Sequence, residues 1–205
     1  MKREMEENTM QYALLGDLHS HYENTKSVLY HIGEIAPNAQ IIGLGDLFEC
    51  KIGKKKAASL TSLIPLKEAV ILQEKFCKLL TFPSIIGNQE ERIAHVTGEQ
   101  KFLQYKEQVI IEKATLLHGH QFHWNEKFEP RFPTYETPLL FFGHSHRAAI
   151  YIEKIRTKID YNLPIHVGNG QTYEINVGSV VESRDWCLYD SEQMTVTFFQ
   201  APLHK

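Results

Sequence analysis

The chain has few cysteines, no excess of positive charge and no long apolar run. Its three cysteines, Cys50, Cys77 and Cys187, lie far apart, which excludes a disulfide framework or a closely spaced thiolate zinc site and suits a reducing compartment. Lys and Arg number 22 against 25 Asp and Glu. Nothing in that balance compensates the dense charge of a long nucleic-acid backbone, so non-specific DNA or RNA binding is not expected. No run approaches the ~20 apolar residues of a membrane span. The first ten residues are charged and polar, without the apolar core and cleavage site of a secretory leader. These absences point to a soluble cytoplasmic protein with no membrane partner. At 205 residues it is long enough for one well-filled domain, residues 1–205, and short for two.

What is present is a regular alternation of apolar runs and turns. Runs at residues 11–15, 40–44 and 84–86 read as strands ending at Gly16-Asp17, Gly45-Asp46 and Gly87-Asn88. Residues 23–36 carry Val28, Leu29, Ile32 and Ile35 at helical spacing before Pro37-Asn38 stops the helix. Strands alternating with helices predict a mostly parallel sheet covered on both faces, with ligands bound beyond the carboxyl ends of its strands. Compact runs follow at residues 108–111, 114–117 and 139–142, and β-rich runs at 149–152, 173–177, 186–189 and 194–199. A second sheet packed on the first is expected, giving a layered α/β sandwich. Residues 51–56 form a basic loop leading into a helix from Ala57 interrupted near Pro65. Its lysines suit either a phosphate or a solvated helix start.

Five fragments carry the chemistry: Gly16-Asp17-Leu18-His19, Gly45-Asp46, Gly87-Asn88, His118-Gly119-His120 and Gly143-His144-Ser145-His146. Asp17 and His19 are two apart at a strand end, so their side chains leave on one side and can grip one ion. Asp46 has two oxygens and can bridge two ions. Asn88 offers an amide oxygen, and His118, His144 and His146 offer imidazole nitrogens. This mixture suits a pair of divalent transition metals: manganese first, with iron, zinc, nickel and cobalt also accommodated. Two such ions outweigh the charge of the two aspartates, acidify water and clamp the oxygens of a phosphoryl displacement, with a bridging hydroxide as nucleophile. Taken singly, each fragment reads as a turn, a left-handed asparagine or a core histidine. Their order and spacing together do not.

Over residues 12–190 these fragments resemble the calcineurin-like metallophosphoesterases. The resemblance implies a two-sheet β-sandwich flanked by helices, a four-layer αββα arrangement. It implies one ion on Asp17, His19, Asp46 and His146 and another on Asp46, Asn88, His118 and His144. His118-Gly119-His120, Phe142-Gly143-His144-Ser145-His146 and Ile175-Asn176-Val177-Gly178-Ser179 with Arg184-Asp185 are most similar to the small bacterial and archaeal phosphodiesterases, although Val177 stands where those have proline. The protein Ser/Thr phosphatase and diadenosine tetraphosphatase branch has Asp-Arg-Gly where this chain has Leu47-Phe48-Glu49, and lacks a counterpart of His146. The start, Gly16-Asp17-Leu18-His19-Ser20-His21-Tyr22, leans toward that branch.

A phosphodiesterase is therefore expected, acting on a small phosphoester or nucleotide, with a homo-oligomer compatible. The alternatives are a phosphatase of phosphoproteins or dinucleoside polyphosphates, and a scaffold with weak catalysis. Gln89 stands where many relatives have a histidine for the transition state or leaving group. Glutamine donates a hydrogen bond but gives up no proton at neutral pH. His120 or His21 is expected to replace that histidine in part, each with a plain alternative as an orienting or surface residue. Trp124, beside His123, suits either an aromatic rim for a nucleobase or core packing.

Overall fold

The computed structural model describes residues 10–204. The polar lead-in read above as lacking a leader lies, apart from Met10, outside the described residues. Along the chain come β1 (Gln11–Leu15), α1 (Tyr22–Ile35) and β2 (Gln40–Gly43). Short helices α2 (Lys54–Ser59), α3 (Leu66–Ala69) and α4 (Glu74–Cys77) precede α5 (Asn88–Thr97) and a 3-10 turn at Gln100–Leu103. Next are β3 (Gln108–Ile111), β4 (Ala114–Leu117), the two-residue strands β5 (His123–Trp124) and β6 (Pro130–Arg131), and β7 (Leu139–Phe142). The chain closes with β8 (Ala149–Ile152), β9 (Ile155–Thr157), β10 (Pro164–His166), β11 (Tyr173–Asn176), α6 (Val180–Ser183), β12 (Asp185–Asp190) and β13 (Thr195–Gln200).

Two large sheets form the sandwich that the sequence implied. The first runs β10-β13-β12-β1-β2 and the second β3-β4-β7-β11-β8-β9. The expectation of mostly parallel pairing needs correction. Only β1 with β2, β4 with β7 and β7 with β11 pair in parallel, and the other pairs are antiparallel. Short connections such as those joining β8 to β9 and β12 to β13 leave no room for a crossover, so they force antiparallel neighbours. The third expected strand, residues 84–86, is reduced to isolated bridges, Gly43 to Ser84 and Ile85 to Lys106, and extends the first sheet irregularly beyond β2. Lys54 to Lys56 of the basic stretch start α2 themselves, and Pro65 caps α3.

Period-two alternation decides where each strand side chain goes. Tyr12 and Leu14 point into the space between the sheets with Phe141, Ile175, Tyr189 and Phe198. Ala13 and Leu15 point the other way, onto a layer with Val28 and Ile32 of α1 and Ile93 and Ala94 of α5. On the second sheet Phe141 meets Tyr189 across the sandwich, at 5.3 Å between ring centroids. Its neighbour Phe142 faces outward against Phe122, Trp124 and Phe132 at 5.2–6.3 Å. The described helices thus cover the first sheet, while the β5–β6 ribbon and its aromatic side chains cover the second. No described helix is long and apolar enough to cross a membrane.

Candidate active site

Four of the five fragments follow the parallel strands β1, β2, β4 and β7, and Gly87-Asn88 follows the bridged residues 84–86. The β1 and β2 turns are laced together by Asp17 N–H donating to Gly45 O (3.1 Å) and by Leu18 and His19 N–H donating to Asp46 O (2.9 and 3.0 Å). Gly143 N–H donates to His118 O at 2.9 Å, joining the β4 and β7 turns. The backbone of Asp17, His19, Asp46, His144 and His146 is left-handed, with φ between 46° and 69°. Non-glycine residues adopt that region at a cost, and it is held here because the surrounding bonds over-determine it. Gly87 has a different necessity: a Cβ there would lie 2.2 Å from the Asp46 backbone nitrogen and carboxylate.

The side chains converge in two groups, Asp17 with His19 and His146, and Asp46 with His118 and His144. Within each group the donor atoms lie within 4.8 Å of one another. Asp17 Oδ1 is faced by His146 Nε2 at 3.4 Å, His19 Nε2 at 3.9 Å and His118 Nε2 at 4.0 Å. Asp46 Oδ2 is faced by His118 Nε2 at 3.3 Å and His19 Nε2 at 3.8 Å. Most of these separations exceed a hydrogen bond, but they suit ligands gathered about an ion at ~2.0–2.2 Å from each. Asp17 Oδ1 and His19 Nε2 are buried without a hydrogen-bond partner. Such atoms are costly unless something fills the space between them, so the donor set fits divalent metal. Asn88 lies beside the second group: its amide approaches His144 Nδ1 to 2.8 Å.

Electrostatics give the same picture. Burial favours a neutral His118, but the Asp46 and Asp17 carboxylates outweigh it and push the ring up to about 10. Burial likewise opposes charge on His146, yet Asp17 and Glu182 bring it up to about 9. Burial and then the neighbouring His118 bring His144 down to about 4. Burial would raise Asp46, but His118, the Gln89 N–H and His19 hold it below the ordinary carboxylate range. The carboxylates here demand positive charge, and protons on imidazole supply it when no cation does.

The remaining sequence candidates fall in three places. His120 lies beside the cluster, its ring 5.4 Å from His118 and 6.3 Å from His144, with Glu91 Oε1 at 3.3 Å from Nε2. His21 is spent on capping α1, where Nδ1 accepts from Asn24 N–H at 3.2 Å. Gln89 N–H donates to Asp46 Oδ1 at 2.8 Å, and its side-chain Oε1 accepts from Cys50 N–H at 3.1 Å and Arg92 Nη1 at 3.4 Å. Its amide therefore ties α5 to the turn after β2. Trp124 packs in the aromatic layer, and its indole N–H donates to Gly119 O at 2.9 Å.

Several residues escaped the sequence reading. His118 Nδ1 donates to Leu44 O at 2.7 Å, His146 Nδ1 to Glu182 Oε1 at 2.9 Å, and His19 Nδ1 to Glu49 Oε2. Each bond fixes a ring so that Nε2 faces inward. Glu49 lies in the Leu47-Phe48-Glu49 stretch that in sequence marked only a departure from another branch. Asn176, visible as part of a motif, donates through Nδ2 to Gly143 O and Ser145 Oγ and so holds the β7 turn. Glu90 is fully buried and accepts from Asp46, Gly87 and Phe48 N–H at 2.9, 2.9 and 3.0 Å. The glutamate straight after Gln89 was the only signal for it.

A sequence model of the calcineurin-like phosphoesterase superfamily domain matches residues 10–194. The chain belongs to that superfamily. No curated protein sequence matches it. Among solved structures it is similar to a metallophosphoesterase from Sphaerobacter thermophilus, with a TM-score of 0.65 and 17% identity over 95% of this chain and 90% of that one. Matches also include Yfce, a phosphoesterase from E. coli, at a TM-score of 0.44 and 17% identity over 94% and 100% of the two chains. A protein serine/threonine phosphatase from Saccharomyces cerevisiae matches at 0.44 and 11% over 98% and 83%. The first likeness is one of fold, and fold alone names no substrate. Membership in the calcineurin-like superfamily makes the chain a phosphoester hydrolase that works with divalent metal ions.

Glu90 generates a direct test of how the superfamily site is held in this chain. In Glu90→Gln one acceptor oxygen becomes a donor facing N–H groups, so denaturant unfolding should show a loss of about 1–3 kcal/mol. An unchanged midpoint contradicts the clamp.

Proposed function

We propose that the chain hydrolyses a small phosphodiester with two divalent ions held side by side. Asp17, His19, Asp46 and His146 would hold one ion, and Asp46, Asn88, His118 and His144 the other. The observation that carries this reading is the pair of adjoining Asp/His groups, the first of which holds the orphaned Asp17 Oδ1 and His19 Nε2. Bound there, two ions supply Lewis acidity to a phosphoryl group and lower the pKa of water so that hydroxide is available near neutral pH. Manganese leads, and iron, zinc, nickel and cobalt suit the same donors.

The chain's own residues do the rest. Leu44 O, Glu49 and Glu182 hold three imidazoles in the tautomer that offers Nε2 inward. Arg92 is one turn along α5 from Asn88, touches Gln89 Oε1 with Nη1 and lies with Nη2 against the Asn88 amide, leaving its remaining guanidinium N–H groups for a phosphoryl oxygen. Gln89 has no proton to give, and His120, paired with Glu91, is the imidazole beside the cluster that lies outside the proposed ligand set, so His120 protonates the leaving oxygen in this reading. The exposed carboxylates of Glu49, Glu91 and Glu182 rim the site. They repel a dianionic monoester more than a monoanionic diester, which supports the diester preference. The protein acts as a single-domain cytoplasmic enzyme, as a monomer or homo-oligomer, on a small phosphoester or nucleotide.

With Mn²⁺ present, a bis-aryl phosphate should turn over about tenfold or more faster than the mono-aryl ester, which corresponds to ~1.4 kcal/mol in the barrier. The reverse order supports a phosphatase of phosphoproteins or dinucleoside polyphosphates. No metal uptake and no metal-stimulated hydrolysis support a scaffold. His120→Ala should slow an alkyl diester more than an aryl diester, because only the alkoxide needs a proton. Equal losses on the two substrates contradict the role given to His120.

A further inference from the structure

Beside the ligand cluster, between the β5–β6 ribbon and the β8–β9 hairpin, lies a cavity of about 570 Å³. That volume falls within the range of small-molecule sites. Its walls are of two chemical kinds. Trp124, Phe132 and Tyr151 supply half-buried aromatic rings, and Arg131, Lys154 and Arg156 supply exposed cations. Trp124 is common to the cavity and the active site. Its ring lies 5.6 Å from that of His144, and its N–H donates to the carbonyl of Gly119 in the His118-Gly119-His120 turn.

Among the described residues the lysine–carboxylate pairs join Lys75 to Glu23, Lys78 to Glu74, Lys101 to Glu99 and Lys158 to Asp160, and none of them takes up Arg131, Lys154 or Arg156. Lys154 lies in the field of the buried Glu174 carboxylate, and among those residues the two arginines carry no ion pair. One carboxylate, Glu129, is in the wall, where Oε2 accepts from Asn125 Nδ2 at 2.7 Å. Positive charge therefore exceeds negative at the lining, in a chain whose net charge is −3. An apolar ligand would bury cations without partners, and a bare polyphosphate would leave the aromatic wall unused. A flat ring carrying phosphate uses both.

We propose that this cavity seats the nucleotide portion of the substrate. The base lies against Trp124, Phe132 and Tyr151, and phosphate beyond the scissile bond lies on Arg131, Lys154 and Arg156. This names a substrate class for the hydrolase proposed above and rests on that reading. Base–aromatic stacking is sequence-tolerant, so the site selects nucleotides over other phosphoesters without selecting one base. The limited volume excludes a long strand.

The test is a calorimetric titration of the full-length protein in EDTA with ADP and, separately, with inorganic pyrophosphate. ADP should bind about tenfold tighter than pyrophosphate because only ADP can stack. In the Arg131→Ala/Arg156→Ala double variant, ADP binding should weaken about tenfold or more, with the thermal midpoint unmoved because both side chains are exposed. ADP binding no tighter than pyrophosphate, or unchanged in the double variant, overturns the proposal. The titration needs neither metal nor turnover. Arginine-dependent ADP binding in a protein that hydrolyses no phosphoester would support the cavity and remove the hydrolase reading. A phosphodiesterase that binds no ADP would do the opposite.

Discussion

Asp46 ties the site together through every polar atom it has. Its N–H is held by Glu90, its carbonyl accepts from Leu18 and His19, Oδ1 accepts from Gln89 N–H, and Oδ2 faces His118 and His19. The turns after β1 and β2, the start of α5 and the end of β4 thus meet on one residue. Its left-handed backbone, the bare Cα of Gly87 against it and the buried Glu90 beneath it all follow from this crowding. Both aspartates reach across the two groups, Asp46 to His19 at 3.8 Å and Asp17 to His118 at 4.0 Å, and the proposed mechanism gives Asp46 the shared position.

The same crowding explains the electrostatics. Two buried carboxylates among imidazoles are tolerable only with positive charge between them. Outside the cluster the sign reverses. Glu49 and Glu182 orient histidines from the rim, and Glu91 lies against His120. The proposed metal centre is therefore ringed by groups that repel excess negative charge, while the cavity lined by Arg131, Lys154 and Arg156 carries the cations. The proposed preference for a diester with a nucleotide portion follows from that division.

Much of this was legible in the sequence because it is local. Alternation located β1, β4 and β7, and Gly-Asp or Gly-His at a strand end located the ligand candidates, since a turn after a buried strand leaves few conformations for the next residues. Residues 84–86 looked like a third strand but pair only through bridges, because edge position and tertiary register decide that question. Mostly parallel pairing failed where hairpins took over. Glu49, Glu182 and Glu90 were invisible because an orienting carboxylate has no fixed spacing from the ring it holds. The cavity was hidden for a similar reason: its walls come from the β5–β6 ribbon and from β8–β9, segments that only the fold brings together.

The central claim is that Asp17, His19 and His146 flank one ion, that His118, His144 and Asn88 flank another, and that Asp46 lies between. Anomalous diffraction from crystals grown with Mn²⁺ tests it most directly. The account predicts two manganese peaks about 3.5–4 Å apart, one in each Asp/His group, with Asp46 touching both. A single peak, or ions bound away from these groups, would contradict it.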